Sequence, residues 1–381
     1  MSQHMGIAPG PGSYGPPPAA WPVPRRRSRA FTVTEIVAVA IAVGGLAWIL
    51  PRLVGGASGP GQILVAVALA IVPFVAILLL VRWIDAWEPE PRGLLIVAVA
   101  WGAGVATAVA ATGNSLFQVV VAEDQGLERA AALTAVVSAP LTEESMKGLG
   151  LVVVVLLGRG QFHGLVDGVV YSLAVGSGFA AVENIQSFLT YWDSITAVFV
   201  QRGLMTPFAH PMFTVCMGLA LGIASQSDRP GRWLLVIPGW IASVVLHGLW
   251  NYTSVSGSFF QVFVSFQIPL FGAFIALVLW LRHRERRAIE SGLRDYAAAG
   301  WFAPFEVQML TSTGARKNAV RWAGGRGNPQ RSAMIDFQQA AVELALGRRR
   351  ARAGRQGRDH QAKESALLRR AVADRAVFLR G

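Results

Sequence analysis

The sequence predicts an all-α, polytopic transmembrane helical bundle of about eight spans. Three observations predict it. The 381-residue chain is 53% hydrophobic and only 15% charged, a balance that belongs to membrane proteins rather than to soluble globular ones. Its apolar residues gather into runs long enough to cross about 30 Å of hydrocarbon, roughly 20 residues each at about 1.5 Å per residue. The basic residues lie at the ends of the chain and in the short loops between those runs.

The elements follow in order. Residues 1–30, with GIAPGPGSYGPPPAAWPVP, are rich in Pro and Gly, have no hydrophobic period, and are expected to form a disordered tail. The basic patch RRRSR abuts the first apolar run, which is long and has no small-residue cleavage site after it, so a first span is expected rather than a cleaved signal. The eight runs lie near 33–51, 62–83, 93–119, 130–157, 164–190, 205–225, 232–253 and 259–281. Pro207 and Pro211 interrupt the start of the sixth. The membrane domain is therefore expected over 31–282. Residues 283–381 form a charged region with amphipathic runs such as FQQAAVELALGRRRARAG, expected to be helical.

An even number of spans puts both termini on one side. The loops on that side carry Arg25, Arg26, Arg27, Arg29, Arg82, Arg92, Arg159, Arg229, Arg232 and Arg282. The opposite loops offer only Arg52, Arg129 and Arg202, beside acids such as Glu123, Asp124 and Asp193. Positive residues favour the cytoplasm, so a multi-pass protein of the cell membrane with both termini cytoplasmic is expected. The net charge of +12 is explained by this topology, and no nucleic-acid partner is expected. The single cysteine, Cys216, excludes an internal disulfide and any thiolate metal cluster.

Against this background the segment APLTEESMKGLGLVVVVLL, from Ala139 to Leu157, is anomalous. An ionisable group at mid-membrane costs on the order of 2.5–3.5 kcal/mol on insertion scales and normally faces a polar cavity or a partner. Glu143, Glu144 and Lys147 lie in the fourth run, Asp167, Glu183 and Asn184 in the fifth, His210 in the sixth, and His247 and Asn251 in the seventh. Lys147 is i+4 from Glu143 and i+3 from Glu144, so it can pair with either acid and leaves the other without a cation. The better i,i+4 geometry favours Glu143 as its partner and leaves Glu144 free to act as general base. The plainer reading is a neutralised structural ion pair. Counted along alternating helices, Glu143, Glu144, Glu183, His210 and His247 reach overlapping depths, which favours one shared site.

A buried carboxylate can take a proton from water and return it to a leaving amine, with histidines and Asn251 orienting water or binding the oxyanion. Alternatively Glu144, Glu183, His210 and His247 are candidate ligands of a zinc ion that would activate the water. Zinc and a metal-free mechanism both stay open. No His-Glu-x-x-His pair and no Gly-x-Ser-x-Gly beside a usable histidine stands out. Intramembrane Glu, Lys and His also build proton relays, so a proton-coupled transporter is the rival, and a non-catalytic membrane scaffold the third reading. No convincing inverted repeat supports the transporter.

EESMK, from Glu143 to Lys147, resembles the Glu-Glu-x-x-Lys motif of the PrsW family of intramembrane proteases. FAAVEN is similar to its Phe-x-x-x-Glu motif at Phe179 and Glu183, HGLWN to its later motif at His247 and Asn251, and DAWEPEP, from Asp85 to Pro91, to a further family segment. The resemblance covers roughly residues 80–255. It implies a multi-spanning helical protease acting on membrane-anchored proteins, anti-sigma factors among them. It implies Glu143, Glu144, Glu183, His210 and His247 as the catalytic set, with Lys147, Asn184, Asn251 and Phe179 supporting them. The wider superfamily includes CAAX-prenyl proteases, which carry a histidine in the second motif where this chain has Glu183.

Overall fold

In hydrocarbon every backbone N–H and C=O must be satisfied within the protein, so long apolar runs become helices. The computed structural model describes residues 29–158, 162, 164–227, 229–354 and 360–380, and among these there is no strand. The Pro/Gly-rich tail expected over 1–30 lies almost wholly outside the described residues. The described residues fall into two compact units, one within 29–85 and 90–278, the other within 86–89 and 279–380.

The first unit is the membrane bundle. It begins with α1 (Arg29–Val54), α2 (Pro60–Ile84) and α3 (Arg92–Trp101), which a π-helical turn at Gly102–Ala106 joins to α4 (Thr107–Gln125). Then α5 (Leu127–Leu133) runs through a second π turn, Thr134–Ser138, into α6 (Ala139–Leu157). It continues with α7 (Leu165–Thr190), the short α8 (Ile195–Phe199), α9 (Ala209–Ser225), α10 (Val236–Val255) and α11 (Phe259–Val262), and ends in the start of α12 (Ile268–Ala298). Among the described residues seven helical runs are long and apolar enough to cross a membrane. The one expected span not among the seven is the fourth, the run through α5 and α6, which carries Glu143, Glu144 and Lys147 at its middle and buries all three.

Helix α7 is the axis of this bundle, with 83% of its apolar stretch buried against 11% for α1 at the lipid edge. Its glycines make the close packing possible. A Cβ on Gly168 would collide with the Gly218 carbonyl of α9, one on Gly176 with the backbone of Pro211, and one on Gly178 with the Val99 carbonyl of α3. The interrupted start of the sixth run is a real break. A π turn at Val200–Met205 is followed by the non-helical Thr206–Phe208, and α9 restarts at Ala209, with Pro211 in its first turn, where a missing N–H costs nothing.

On the side where α6 and α9 end and α7 begins, Leu94, Val97, Leu151, Val154, Tyr171, Val175, Met217 and Leu221 form a closed apolar core. Nearby the Tyr171 hydroxyl donates to Glu90 Oε2 at 2.7 Å, and the Glu90 N–H donates to Asp85 Oδ2 at 2.8 Å, giving the acids of the DAWEPEP segment local partners.

The second unit packs α13 (Pro304–Leu310), α14 (Thr313–Gly324), α15 (Asn328–Arg352) and α16 (His360–Leu379) with the latter part of α12. Its core includes Leu293, Tyr296, Trp301, Phe302, Phe337 and Phe378. Arg375 is held there by a two-point contact with Glu306, at 2.7 and 2.8 Å.

Candidate active site

The site grows from the rotation of the α-helix. Glu143 and Glu144 are adjacent on α6, so about 100° separates their directions, and they meet different neighbours. Glu144 turns toward α9 and α10 and is fully buried. Its Oε1 lies 2.9 Å from Lys147 Nζ and 2.9 Å from His247 Nδ1, and its Oε2 accepts from the Thr214 hydroxyl at 3.1 Å. Lys147 is equally buried, with its ammonium 3.8 Å from the centre of the Phe179 ring and 3.5 Å from Glu143 Oε2. The expected preference of Lys147 for Glu143 is therefore reversed, because the i+3 partner comes closer than the i+4 partner.

Glu143 turns toward α7 and open space. Its Oε2 has no hydrogen-bond partner and lies 3.8 Å from His247 Nε2. On α7, Glu183 Oε1 is 3.0 Å from Arg202 Nη2, and Glu183 Oε2 is 3.1 Å from His210 Nε2, close but off the hydrogen-bonding direction. Arg202 Nε donates to Asn184 Oδ1 at 2.9 Å. The two imidazoles stand edge to face with centroids 4.9 Å apart.

Each histidine thus has one ring nitrogen against a carboxylate and the other unpartnered. For His247 these are Nδ1 on Glu144 and a free Nε2; for His210 they are Nε2 on Glu183 and a free Nδ1. Glu143, His210 and His247 each offer one donor atom, and the three atoms lie within 4.8 Å of one another. Two imidazoles and a carboxylate are a donor set used by catalytic zinc, with carboxylate-backed histidines behind it. The residues fit a divalent cation.

Two cavities meet at this cluster, and Glu143 and Glu183 line both. The smaller, of about 360 Å³, is bounded by Arg52, Asn114, Ser115, Gln118 and Gln186. The larger, of about 800 Å³, includes Ala135, Arg202, His210, Trp250, Asn251 and Phe259 in its wall. Beside it the π turn Thr134–Ser138 displaces a helical hydrogen bond, and Asn251 Nδ2 donates to the Ala135 carbonyl at 2.8 Å.

Every residue put forward for the site falls in or beside this cluster: Glu143, Glu144, Lys147, Phe179, Glu183, Asn184, His210, His247 and Asn251. Asp167, the other acid noted in the fifth run, instead caps the start of α7, accepting from the Gly164 N–H at 3.2 Å. Of the four residues considered as metal ligands, His210 and His247 present free nitrogens. Glu144 is taken up by three partners, and Glu183 by Arg202 and His210. The sequence reading missed Arg202 and Thr214. Arg202 entered only as a loop charge, although its place just before the Pro207 break is a usable signal; Thr214, one turn after His210, offered none.

A polytopic helical bundle with a buried Glu–His cluster opening into two cavities is the class of membrane protein with a polar, chemically equipped intramembrane site. The chain belongs to the PrsW family: residues 90–281, half of the chain, match the family model described as PrsW family intramembrane metalloprotease. It is similar to Protease PrsW of Geobacillus kaustophilus (strain HTA426), 26% identical over 186 residues covering 49% of this chain and 78% of the relative. It is also similar to Protease PrsW of Shouchella clausii (strain KSM-K16), 28% identical over 38% of this chain and 64% of the relative. Protease PrsW of Bacillus subtilis (strain 168) is 25% identical over 59% of this chain and 95% of its own length. No solved structure matches the chain. The protein is a multi-pass intramembrane endopeptidase.

Proposed function

We propose that the enzyme hydrolyses peptide bonds of single-span, membrane-anchored regulatory proteins, anti-sigma-factor-like substrates included, in the outer half of the cell membrane with both termini cytoplasmic. One observation carries the reading: Glu143, whose Oε2 has no hydrogen-bond partner, lies with His210 and His247 where two cavities meet, one donor atom of each within 4.8 Å of the others. The cavity walls include Arg52, Gln118, Tyr191 and Val255, residues near the ends of helices that start on the arginine-rich side. Both cavities therefore open on the side opposite the arginine-rich loops, and the apolar core closes the other.

In this mechanism Glu143 is the acid that meets water and substrate. Its carboxylate takes a proton from the attacking water and returns one to the leaving amine, a role worth roughly 10²–10⁴ in rate. Helical spacing alone favours Glu144 as the base; with Lys147, His247 and Thr214 all on it, its work is instead to hold His247. Lys147 offsets its charge. Base catalysis by Glu143 is the metal-free form of the mechanism. In the metal-dependent form Glu143 serves as a ligand instead of the base, and with His210 and His247 it would hold a divalent cation such as zinc, which when bound supplies a water with its pKa lowered to about 7.

The test replaces Glu143, Glu144, Glu183, His210 and His247 one at a time in purified protein and follows cleavage of a tagged single-span membrane protein. Undiminished cleavage by the Glu143→Gln variant removes the proposal.

A further inference from the structure

We infer that Arg202 is a positioning residue for the site, acting through Glu183 on His210 as Lys147 acts through Glu144 on His247. The inference rests on the metal-holding role proposed for Glu143, His210 and His247 and goes beyond it, because nothing in the motifs quoted from the sequence includes Arg202.

The two halves of the site have the same composition. On one side a buried cation, Lys147, lies 2.9 Å from Glu144, whose same oxygen lies 2.9 Å from His247. On the other, Arg202 lies 3.0 Å from one oxygen of Glu183, whose second oxygen lies 3.1 Å from His210. In both, the histidine nitrogen away from the carboxylate is unpartnered. The halves come from different helices, α6 with α10 and α7 with α9, so the likeness is no consequence of local sequence.

Local structure explains how an arginine reaches this place. Arg202 sits in the π turn Val200–Met205, which offsets the helix register just before the chain breaks at Thr206–Phe208. The break reverses no topology; it lets Arg202 and His210 approach the same helix, α7, from positions eight residues apart in sequence. The guanidinium fork then spans two consecutive side chains of α7, with Nε on Asn184 and Nη2 beside Glu183. Arg202 is only 21% exposed at its side chain. A guanidinium serving solely as a topological charge would be out among headgroups rather than folded back onto two α7 side chains.

The chemical consequence concerns which group ligates. Glu183 is a hard oxygen donor at the edge of a site whose centre holds Glu143, and two free carboxylates there would both compete for a cation. Pairing with Arg202 offsets the charge of Glu183 and restrains it beside His210 as an orienting group. Without Arg202, Glu183 is free to swing inward and displace the imidazole. Partners that orient metal-binding histidines are typically worth 10–100-fold in metal affinity.

The experiment is a Co²⁺ titration of the purified full-length protein in detergent, read by visible absorption and by competition with Zn²⁺, with no substrate present. The wild type is expected to bind about one equivalent with an intense low-symmetry spectrum. Arg202→Ala and Arg202→Gln are expected to bind about 10–100-fold more weakly, with a weaker spectrum typical of added oxygen ligation. Arg202→Lys is expected to recover most of both. Arg202→Gln can still donate to Asn184, so it reports even where the alanine variant does not fold. Wild-type affinity and spectrum in folded Arg202→Gln overturn the inference about Arg202 alone. A wild-type protein that binds no Co²⁺ or Zn²⁺ overturns the metal-holding reading and this inference with it.

Discussion

Oε1 of Glu144 is shared between His247 Nδ1 and Lys147 Nζ, each 2.9 Å away. That single oxygen ties α6 to α10 and leaves Glu143, its neighbour in sequence, as the acid facing open space. The paired glutamates are therefore unequal, and substitutions should separate them. Glu143→Gln should reduce cleavage by about 10²–10⁴-fold with little change in melting temperature. Glu144→Gln should lower both, because it weakens a buried ion pair and the support of His247. Rates and melting curves of the two variants, side by side, check this.

Lys147 is the counterion that the buried acids require. Removing one partner of a buried pair strands the other, at a cost of about 3–5 kcal/mol. Lys147→Met should therefore be strongly destabilising, and Lys147→Met combined with Glu144→Gln should be less so than the sum of the two single changes. A double-mutant cycle on detergent unfolding measures the coupling; additive effects would remove the pair from the account.

Packing at Gly176 controls the position of His210. A methyl there meets the backbone of Pro211, the residue after His210, and overpacking of this kind costs about 1–3 kcal/mol. Gly176→Ala should lower both stability and cleavage. Gly44→Ala, where a Cβ has nothing within 4 Å, should leave both unchanged or raise stability slightly.

Metal removal should abolish cleavage, and added zinc should restore it. His210→Ala and His247→Ala should lose the ion, measured by elemental analysis after gel filtration, whereas Glu183→Gln should keep it at about 10–100-fold weaker affinity. Full activity after exhaustive chelation, with no ion left in the protein, would leave the glutamate-only mechanism in its place.

The cavity mouths should be reachable from outside the cell. In a Cys216→Ala background, Gln118→Cys and Ser254→Cys should react with a membrane-impermeant maleimide on intact cells, whereas Val154→Cys, in the closed core, should not. Gln118→Cys and Ser254→Cys that react only after the cells are permeabilised would invert the topology.

Much of the fold was legible because bilayer thickness acts on sequence directly. A run such as 164–190 has to be long, apolar and helical, and α7 spans Leu165–Thr190. The interruption at Pro207 was visible because proline cannot donate its nitrogen. The cost of charge in lipid made the candidate residues equally legible: Glu143, Glu183, His210 and His247 stand out in segments that exclude their kind.

Composition and spacing settle this inventory: the helices, their order, and the residues too polar for lipid unless they meet. The tertiary structure alone decided how they meet. Spacing along one helix describes neighbours at i+3 and i+4, so it could pair Lys147 with either glutamate, but rotation about α6 relative to α9 and α10 made Glu144 the bonded acid. Arg202 was hidden for the same reason. Its partner lies on another helix, reached through a π turn and a chain break, and contacts across helices depend on rotation and depth that no local pattern encodes.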